Sequence, residues 1–417
     1  MKDIIYAELK KVLKPQLLIV FLIFVLLYSI ITSLMSFSSY EYYDGNGELL
    51  FTAKENLKET KKHSLTLDEQ TLQDVVERKD KSLFAYNTSL VLLVARNYNK
   101  KVTELTTQDF QNFYQNRVNG VIEQAEEQAG LMHKTLGQEE VQYLRESANH
   151  LTTPIHLGYK EGWHSLNSDM GKVATLVLAF SSVLAIPIFG QSPKTKIKEL
   201  CLATRNGKML HYQARVIAGI LLGLLIYFPS MLIFSIIRLT VLGLQGGSLS
   251  IQSSVLYFFS AWSVNYIEQF LINFNIGLLS ILLMLSFILF FGALLEKMIS
   301  TSVIVAFLWI FMIMPQTPEI THYFYGFLPY NMLDFADLYI NNETYLILGK
   351  VLPRYIWIMI IACIFFILLI VAIYLVARAK LPRPVSYTHL DVYKRQVSTP
   401  LVEFLAIRPD GGSLPGT

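Results

Sequence analysis

The chain has 417 residues, of which 53% are hydrophobic and 16% are charged. The apolar excess falls in blocks of about 20 residues, the length that crosses a bilayer, so it indicates membrane spans rather than one large soluble core. The net charge is +3, and the absence of a basic face argues against a nucleic-acid partner. The cysteines, Cys201 and Cys363, fall in a predicted loop and a predicted span, so we expect no disulfide.

Residues 1–37 are predicted to form an interfacial helix and the first span. Up to Lys14, apolar residues share one helical face and the lysines lie mainly off it. Pro15 ends that helix, and an uncharged span follows from about Leu17 to Phe37. The lysines place the N-terminal end in the cytoplasm. The first apolar run is too long for a cleavable signal peptide.

Residues 38–169 are predicted to form an extracytoplasmic helical domain, because charges and amides dominate and no apolar run could cross a bilayer. Thr66 and Thr106 each precede an acidic residue by three positions, which is typical of a helix start. A further helix is predicted at Gln138–Asn149. We interpret the apolar stripes as the core of a small domain; a peptide- or lipid-binding groove is the alternative. The histidines of this region match no metal-ligand spacing.

A five-span transmembrane domain is predicted within residues 170–383, with both termini in the cytoplasm. Arg238, Lys350 and Arg354 stand at predicted outer ends, against the general distribution of lysine and arginine. The predicted spans are about Lys172–Phe189, Ala214–Ile237, Phe270–Leu295, Ser300–Met314 and Tyr355–Val376.

Two connections between spans are unusually apolar. Residues 238–267 are interpreted as an outer connection with an interfacial helix, on or in the membrane. Residues 316–350 are too apolar for an open loop and too interrupted by proline to span. We therefore predict an outer re-entrant or interfacial helical hairpin there.

Small and polar residues mark two of the spans. Gly219 and Gly223 form a pair of small residues that lets another helix approach closely. Asn273 and Asn275 lie inside a predicted span, where an unpaired amide is costly. We expect both asparagines to face other helices or a water-filled path. They are interpreted as contacts between helices, with a substrate contact as the alternative.

The loop of residues 190–213 is basic and lies between two spans, so it is predicted to be cytoplasmic. Ile197–Leu202 can form a short helix with an apolar edge, and Asn206-Gly207 can form a turn. A short amphipathic helix between spans suggests that a cytoplasmic partner docks on it.

The pattern Glu-Leu-x-Leu-x-Thr-Arg-x-Gly-Lys in this loop, followed by Ala-Arg at the next span, resembles the permease subunits of type-2 ATP-binding-cassette (ABC) exporters. The resemblance covers the layout of about residues 1–383. Glu161-Gly162-Trp163 is similar to the end of the outer domain in Gram-positive relatives. The chain departs from the pattern at Gln191 and Ser192, where relatives often carry an acidic residue.

This resemblance implies that the loop holds a coupling helix seated on a separate ATP-binding subunit, and that residues 1–14 form an elbow helix beside it. An anchoring role is the alternative for that first helix. The resemblance also implies a partner permease, either a second copy or a homologue. The residues expected to contact the ATPase are Ile197, Glu199, Leu200, Leu202, Thr204, Arg205, Asn206, Gly207 and Lys208.

No phosphate-binding loop or hydrolase motif occurs in the chain, so we expect no enzyme activity and no cofactor here, with ATP and magnesium on the partner subunit. The expected function is export across the bacterial plasma membrane of a peptide, lipid-linked, drug-like or ionic substrate. The alternative is a non-transporting sensor or immunity protein whose outer domain binds a ligand. An ion-coupled carrier is disfavoured, because the spans lack paired carboxylates at mid-membrane depth.

Residues 384–417 lack the periodicity of the rest. The run from Val385 to Gln396 resembles an adapter-derived artefact that recurs at the ends of unrelated reading frames. We therefore leave this tail out of the functional interpretation; a disordered cytoplasmic tail is the alternative.

Overall fold

A computed structural model describes residues 1–43, 46–62, 64–72, 92–100, 104, 112–190 and 207–380 of the chain. These residues are mostly helical, with few strands. Five of the described helices are long and apolar enough to cross a membrane, which is the pattern of a helical membrane protein. The predicted fifth span is a helix of 16 residues, about 24 Å long at 1.5 Å per residue and shorter than a bilayer core of roughly 30 Å.

The helices are numbered in chain order. They are α1 (Lys2–Val12), α2 (Pro15–Ser38), α3 (Ala53–Thr60), α4 (Phe113–Leu131), α5 (Gln138–Asn149), α6 (Glu161–Ala185), α7 (Pro187–Gly190), α8 (Gly207–Leu242), α9 (Tyr266–Leu295), α10 (Met298–Ile313), α11 (Pro318–Tyr323), α12 (Asp337–Ile340) and α13 (Arg354–Ala379).

The strands form antiparallel pairs, β1 with β2, β3 with β4, and β5 with β6. They are β1 (Tyr42–Tyr43), β2 (Leu49–Phe51), β3 (Leu65–Thr66), β4 (His156–Leu157), β5 (Thr344–Ile347) and β6 (Lys350–Pro353).

The long helices begin earlier than hydropathy predicts, because polar residues form their first turns. The second long helix begins at Glu161 rather than Lys172, so the last residues assigned to the outer domain belong to α6. Helix α9 begins at Tyr266, where Asn265 and Glu268 satisfy each other's backbone N–H groups in a capping box. Helix α8 begins at Gly207, inside the predicted loop.

Helix α9 lies at the centre of the bundle. It packs against α6, α8, α10 and α13, while α8 also contacts α1, α2 and α6. Half or more of the apolar segments of α6 and α9 is buried, whereas α2 and α13 are mostly exposed at the outside of the chain. This arrangement leaves the lipid-facing surface chiefly to the peripheral helices.

Residues 38–160 carry short elements around α4 and α5, which pack on each other. The helix predicted at Gln138–Asn149 is present with the same bounds. Residues 69–72 are helical, so a helix lies close to the predicted place. The predicted capping role of Thr66 is wrong, because Thr66 belongs to β3 and the side chain of Asp68 accepts the hydrogen bond from the backbone N–H of Thr71. Thr106 lies outside the described residues, and the helix beyond it begins at Phe113.

The prediction of an interfacial helix within residues 238–267 is wrong for the described chain. Residues up to Leu242 continue α8, and beyond them the segment has one short 3-10 turn, Ile251–Ser253. The positive φ angles of Gly243 and Gly246 turn the chain sharply. The segment then buries Phe258 beside Leu67 and Phe113, so this part of its apolar content lies in a protein interior.

The prediction of a helical hairpin within residues 316–350 is also wrong. The segment consists of the short helices α11 and α12, 3-10 turns, and the hairpin that begins with β5. Proline at 318 and 329 limits the length of any helix. Leu348 and Gly349 adopt positive φ, which suits the two-residue turn between β5 and β6.

Candidate functional site

Most residues of the predicted coupling motif lie outside the described residues. They are Ile197, Glu199, Leu200, Leu202, Thr204, Arg205 and Asn206. Gly207 is buried at the first position of α8, and Lys208 follows in the same helical turn. The candidate site is therefore built from the chain on both sides of residues 191–206.

The chain before the loop is fixed by direct backbone packing. A side-chain carbon added to Gly190 would lie 2.6 Å from the Cα of Met298, so α7 meets the start of α10 with no room for a larger residue. Phe189 is buried, and its ring centroid lies 5.3 Å from that of Tyr212 on α8. The two sides of the loop thus contact each other at its base.

The chain after the loop is held by a carboxylate on α1. Glu8 is only 3% exposed, although the sequence analysis assigned this helix an apolar interfacial face. Its carboxylate accepts a 2.6 Å hydrogen bond from Lys11 and lies 3.7 Å from the Nε of Arg215. The guanidinium of Arg215 also lies over the ring of Phe189, 5.3 Å from its centroid. Arg215 is therefore buried, and not part of an open basic loop.

A second polar group closes the same end of the bundle. Tyr212 donates a 2.5 Å hydrogen bond to Glu296, which follows α9 with a positive φ of 52°. Lys380, at the end of α13, donates to the same carboxylate at 3.1 Å and to the carbonyl oxygens of Ala293 and Leu294. These bonds satisfy carbonyls that the end of a helix leaves free.

We call these residues the loop-end cluster: Glu8, Phe189, Tyr212, Arg215, Glu296 and Lys380. The cluster joins α1, α7, α8, α9 and α13 at the base of residues 191–206. A force applied to the loop would therefore act on several helices at once. Within the described residues, no group of His, Cys, Asp and Glu could hold a metal ion.

The two glycines singled out in α8 lie against α9. A side-chain carbon on Gly219 would lie 2.6 Å from Leu289, and one on Gly223 would lie 2.5 Å from Leu285. The absence of side chains at these positions lets the two helices come close together.

The two asparagines of α9 have different surroundings. Asn273 is fully buried, and its Oδ1 accepts a 3.0 Å hydrogen bond from Tyr339; its Nδ2 has no partner among the described residues. Asn275 is exposed and donates to Leu271 of its own helix at 2.8 Å. Among the described residues Asn275 thus makes no hydrogen bond to another helix, because the 3.6-residue period turns it away from Asn273. That it faces a water-filled path or a helix of a partner stays a prediction.

Arg238 is fully buried near the C-terminal end of α8. It donates hydrogen bonds to Asp169 at 2.8 Å and to Ser165 at 2.9 Å, and it also contacts Thr32. These contacts tie α2, α6 and α8 together. The sequence analysis found Arg238 to be an exception to the general distribution of lysine and arginine. Its charge pairs with Asp169 inside the protein, so it does not report on the side of the membrane.

Arg354 has an equivalent role at the start of α13. Its guanidinium donates to Asp337 at 2.5 Å and to Glu343 at 3.0 Å, and His322 lies 3.2 Å from Glu343. Burial raises the pKa of Asp337 despite the arginine. Burial alone would also raise the pKa of Glu343, but Arg354 and His322 hold that pKa below its ordinary value.

Sequence reasoning missed the acidic members of these clusters. Glu8 falls four residues from both Ile4 and Val12, so a carboxylate on the apolar face was a readable signal of a buried partner. Asp169 and Glu343 gave no such signal, since they fall in polar stretches whose burial depends on distant segments.

Comparison of the chain with family models, with curated proteins and with solved structures finds no match.

Proposed function

We propose that this chain is the transmembrane permease subunit of an ATP-driven exporter of the bacterial plasma membrane. A separate ATP-binding-cassette subunit would dock on residues 197–208 in the cytoplasm, where both termini of this chain would also lie. The observation that carries the proposal is the construction of the loop base. The loop with the exporter-like motif starts and ends in buried contacts that join five helices.

The loop-end cluster explains how docking would act on the spans. Gly190 touches Met298 directly, so displacement of the loop start would move α10. Arg215 contacts both Phe189 and Glu8, so displacement of the loop end would move α1 and α8 together. ATP and magnesium would remain on the partner subunit, and ATP-driven closure would rock the helices to move substrate outward.

A transport pathway would need a second permease copy or a homologue beside this chain. In the proposed six-span topology, the short helix α10 is the span additional to the five long helices. The substrate is a peptide, a lipid-linked molecule, a drug-like molecule or an ion. The buried Asn273 amide is a polar group that such a pathway or a helix contact would use.

The second candidate is a non-transporting sensor or immunity protein. The link between the outer domain and the spans favours it: Arg117 of α4 donates to the backbone oxygens of Phe258 and Ser260, in the segment that joins α8 to α9. A ligand bound outside could thereby act on the bundle without transport. In that case, replacement of Asn273 by Leu leaves function intact and no ATPase binds the loop.

The test is co-purification of the full chain from its host in mild detergent, with bound proteins identified by mass spectrometry. The variant Glu199→Arg with Leu200→Asp alters the loop. The matched control, Glu319→Arg with Ile320→Asp, makes the same charge changes at exposed residues of α11. We expect an ATPase subunit to co-purify with the native chain and the control, and to be lost from the loop variant.

If the native chain retains no ATPase, the exporter proposal fails and the sensor function takes its place. Equal loss from the control and the loop variant would also contradict docking at residues 197–208.

A further inference from the structure

The outer domain contains a polar cavity of about 620 Å³. It lies between α4 and residues 96–99, and Phe259 of the α8–α9 segment contributes to its lining. This volume is within the range of roughly 300–1,000 Å³ that is typical of small-ligand sites.

One wall of the cavity is a continuous polar face of α4. The face falls at helical spacing, so its side chains lie beside one another. Among the described residues, none of its polar side chains has a hydrogen-bond or ion-pair partner. The members of this face are Asn116, Asn119, Glu123, Gln124 and Glu127.

The opposite wall includes a buried acceptor without a partner. Asn97 is 8% exposed, and its Nδ2 donates to the backbone oxygen of Phe113 at 2.9 Å. Its Oδ1 has no hydrogen-bond partner in the described chain. A buried acceptor in this condition costs free energy unless a ligand or water donates to it.

The cationic side chain in the described part of the lining is already engaged. Arg96 donates to the backbone oxygen of Val255 at 2.5 Å, and its guanidinium lies over Phe259, 5.3 Å from the ring centroid. Glu123 and Glu127 lie four residues apart on one face of α4, and neither has an ion-pair partner among the described residues. The described part of the lining therefore offers unsatisfied acceptors and two carboxylates that no described cation neutralises.

We propose that this cavity binds a ligand that carries a primary ammonium or guanidinium group. The carboxylates of Glu123 and Glu127 would receive its positive charge, Asn97 would accept one of its hydrogen bonds, and the amides of α4 would bond its polar remainder. A polyamine and a basic peptide side chain share this chemistry. The proposal does not depend on an ATPase partner.

The position of the cavity links a bound ligand to the spans. A side-chain carbon on Gly120 would lie 2.5 Å from the ring of Phe259, so the α8–α9 segment is packed directly on α4. Arg117, on the same helix, bonds the carbonyl oxygens on both sides of Phe259. Burial lowers the pKa of Arg117 to about 10, so this residue keeps its charge at neutral pH.

The experiment is calorimetric titration of the full chain in detergent with two probes, spermidine and a tri-lysine amide peptide. The control probe is tri-acetyl-lysine amide with its N-terminus also acetylated, which has the same peptide backbone and carries no positive charge. Glu123→Gln with Glu127→Gln is the test variant. Glu126→Gln with Glu139→Gln is the control variant, because both residues are exposed and neither lines the cavity.

We expect saturable binding of at least one cationic probe, weakened roughly tenfold in the test variant and unchanged in the control, as the loss of two exposed ion pairs implies. Binding of the peptide alone would identify a peptide as the source, and binding of spermidine alone would identify a polyamine. The proposal is overturned if neither cation binds, if the acetylated peptide binds equally well, or if the control variant loses as much affinity. Unchanged melting temperatures would show that the variants fold.

Discussion

The two ends of α8 are each held by a buried arginine, but the two arginines are bound in different ways. Near the loop, Arg215 lies 3.7 Å from Glu8 and stacks over Phe189. At the C-terminal end, Arg238 has direct hydrogen bonds of 2.8 Å to Asp169 and 2.9 Å to Ser165. The contacts of Arg238 fix donor and acceptor geometry, whereas those of Arg215 depend mainly on charge and on a ring face.

This difference has a mechanical meaning. A hydrogen bond weakens steeply when its distance and angle change, while the attraction between two charges falls only as the inverse of their separation. The C-terminal end of α8 is therefore held in one position. The loop end can shift by a small distance and still keep its partners, which is compatible with the docking proposed above for residues 197–208.

The largest effect on stability is expected from the removal of Arg238. Arg238→Met leaves the Asp169 carboxylate without its buried partner, a change that usually costs about 3–5 kcal/mol. We expect the lower part of that range, because Lys172 still pairs with Asp169 at 2.6 Å. The measurement is the midpoint of thermal unfolding in mild detergent. The double variant Arg238→Met with Asp169→Asn should recover much of the lost stability. An unchanged midpoint in the single variant would show that the pair of Arg238 and Asp169 does not stabilise the fold.

A smaller effect is expected at the loop end. Glu8→Gln keeps the shape of the side chain but removes the charge that faces Arg215, so we expect a loss of about 1–2 kcal/mol and loosening of α1. Trypsin cleavage after Lys10 and Lys11 reports that loosening directly. Asp3→Asn, at an exposed position of the same helix, should leave the cleavage rate unchanged. Equal protection in both variants would show that Glu8 does not hold α1.

The smallest effect on stability is expected at the contact between α5 and the hairpin β5–β6, and this effect depends on pH. Glu140 accepts hydrogen bonds from Lys134 at 2.7 Å and from Thr344 at 3.0 Å. Burial alone would raise the pKa of Glu140, but Lys134 and the backbone N–H of Gly137 hold it below its ordinary value. The stabilisation is therefore complete above the unfolded pKa of about 4.3 and is lost as the pH falls through the lower folded pKa.

Glu140→Gln should accordingly lower the free energy of unfolding by about 1 kcal/mol at pH 7, and the difference from the native chain should shrink below pH ~4. Thermal midpoints at pH 7 and in acid measure both quantities. The exposed neighbour Glu139 supplies the control through Glu139→Gln. A difference that stays constant with pH would mean that the Glu140 charge contributes nothing.

Much of the helical framework follows from the sequence because it depends on local properties. Long apolar runs predict α2, α6, α8, α9 and α13, and Gly137 before an acidic turn predicts α5. Hydropathy places the helix starts too late, since the polar turns at Glu161 and Tyr266 are helical without being apolar. The same apolar content misled the interpretation of residues 238–267, where Phe258 is buried in protein rather than in a membrane interface.

The candidate site, too, has features that the local sequence shows and features that only the packing of distant segments shows. The basic loop, its motif and the glycines at 219 and 223 can be read directly, because each is a short pattern along one stretch of chain. The partners of Glu8, Arg238 and Arg354 cannot be read in this way, since each ion pair joins segments that are far apart in sequence. The polar face of α4 is visible as a pattern, but only the packing of Phe259 against Gly120 turns it into the wall of a cavity.

The sequence by itself determined that this is a helical membrane protein, because the length and apolarity of a span are properties of consecutive residues. The tertiary structure alone decided which charged residues are internal contacts and which asparagine faces the interior. The physical reason is that burial and ion pairing depend on which helices pack against each other. The periodicity of one helix shows which of its faces is apolar, but it does not show which side chains of another helix pack there.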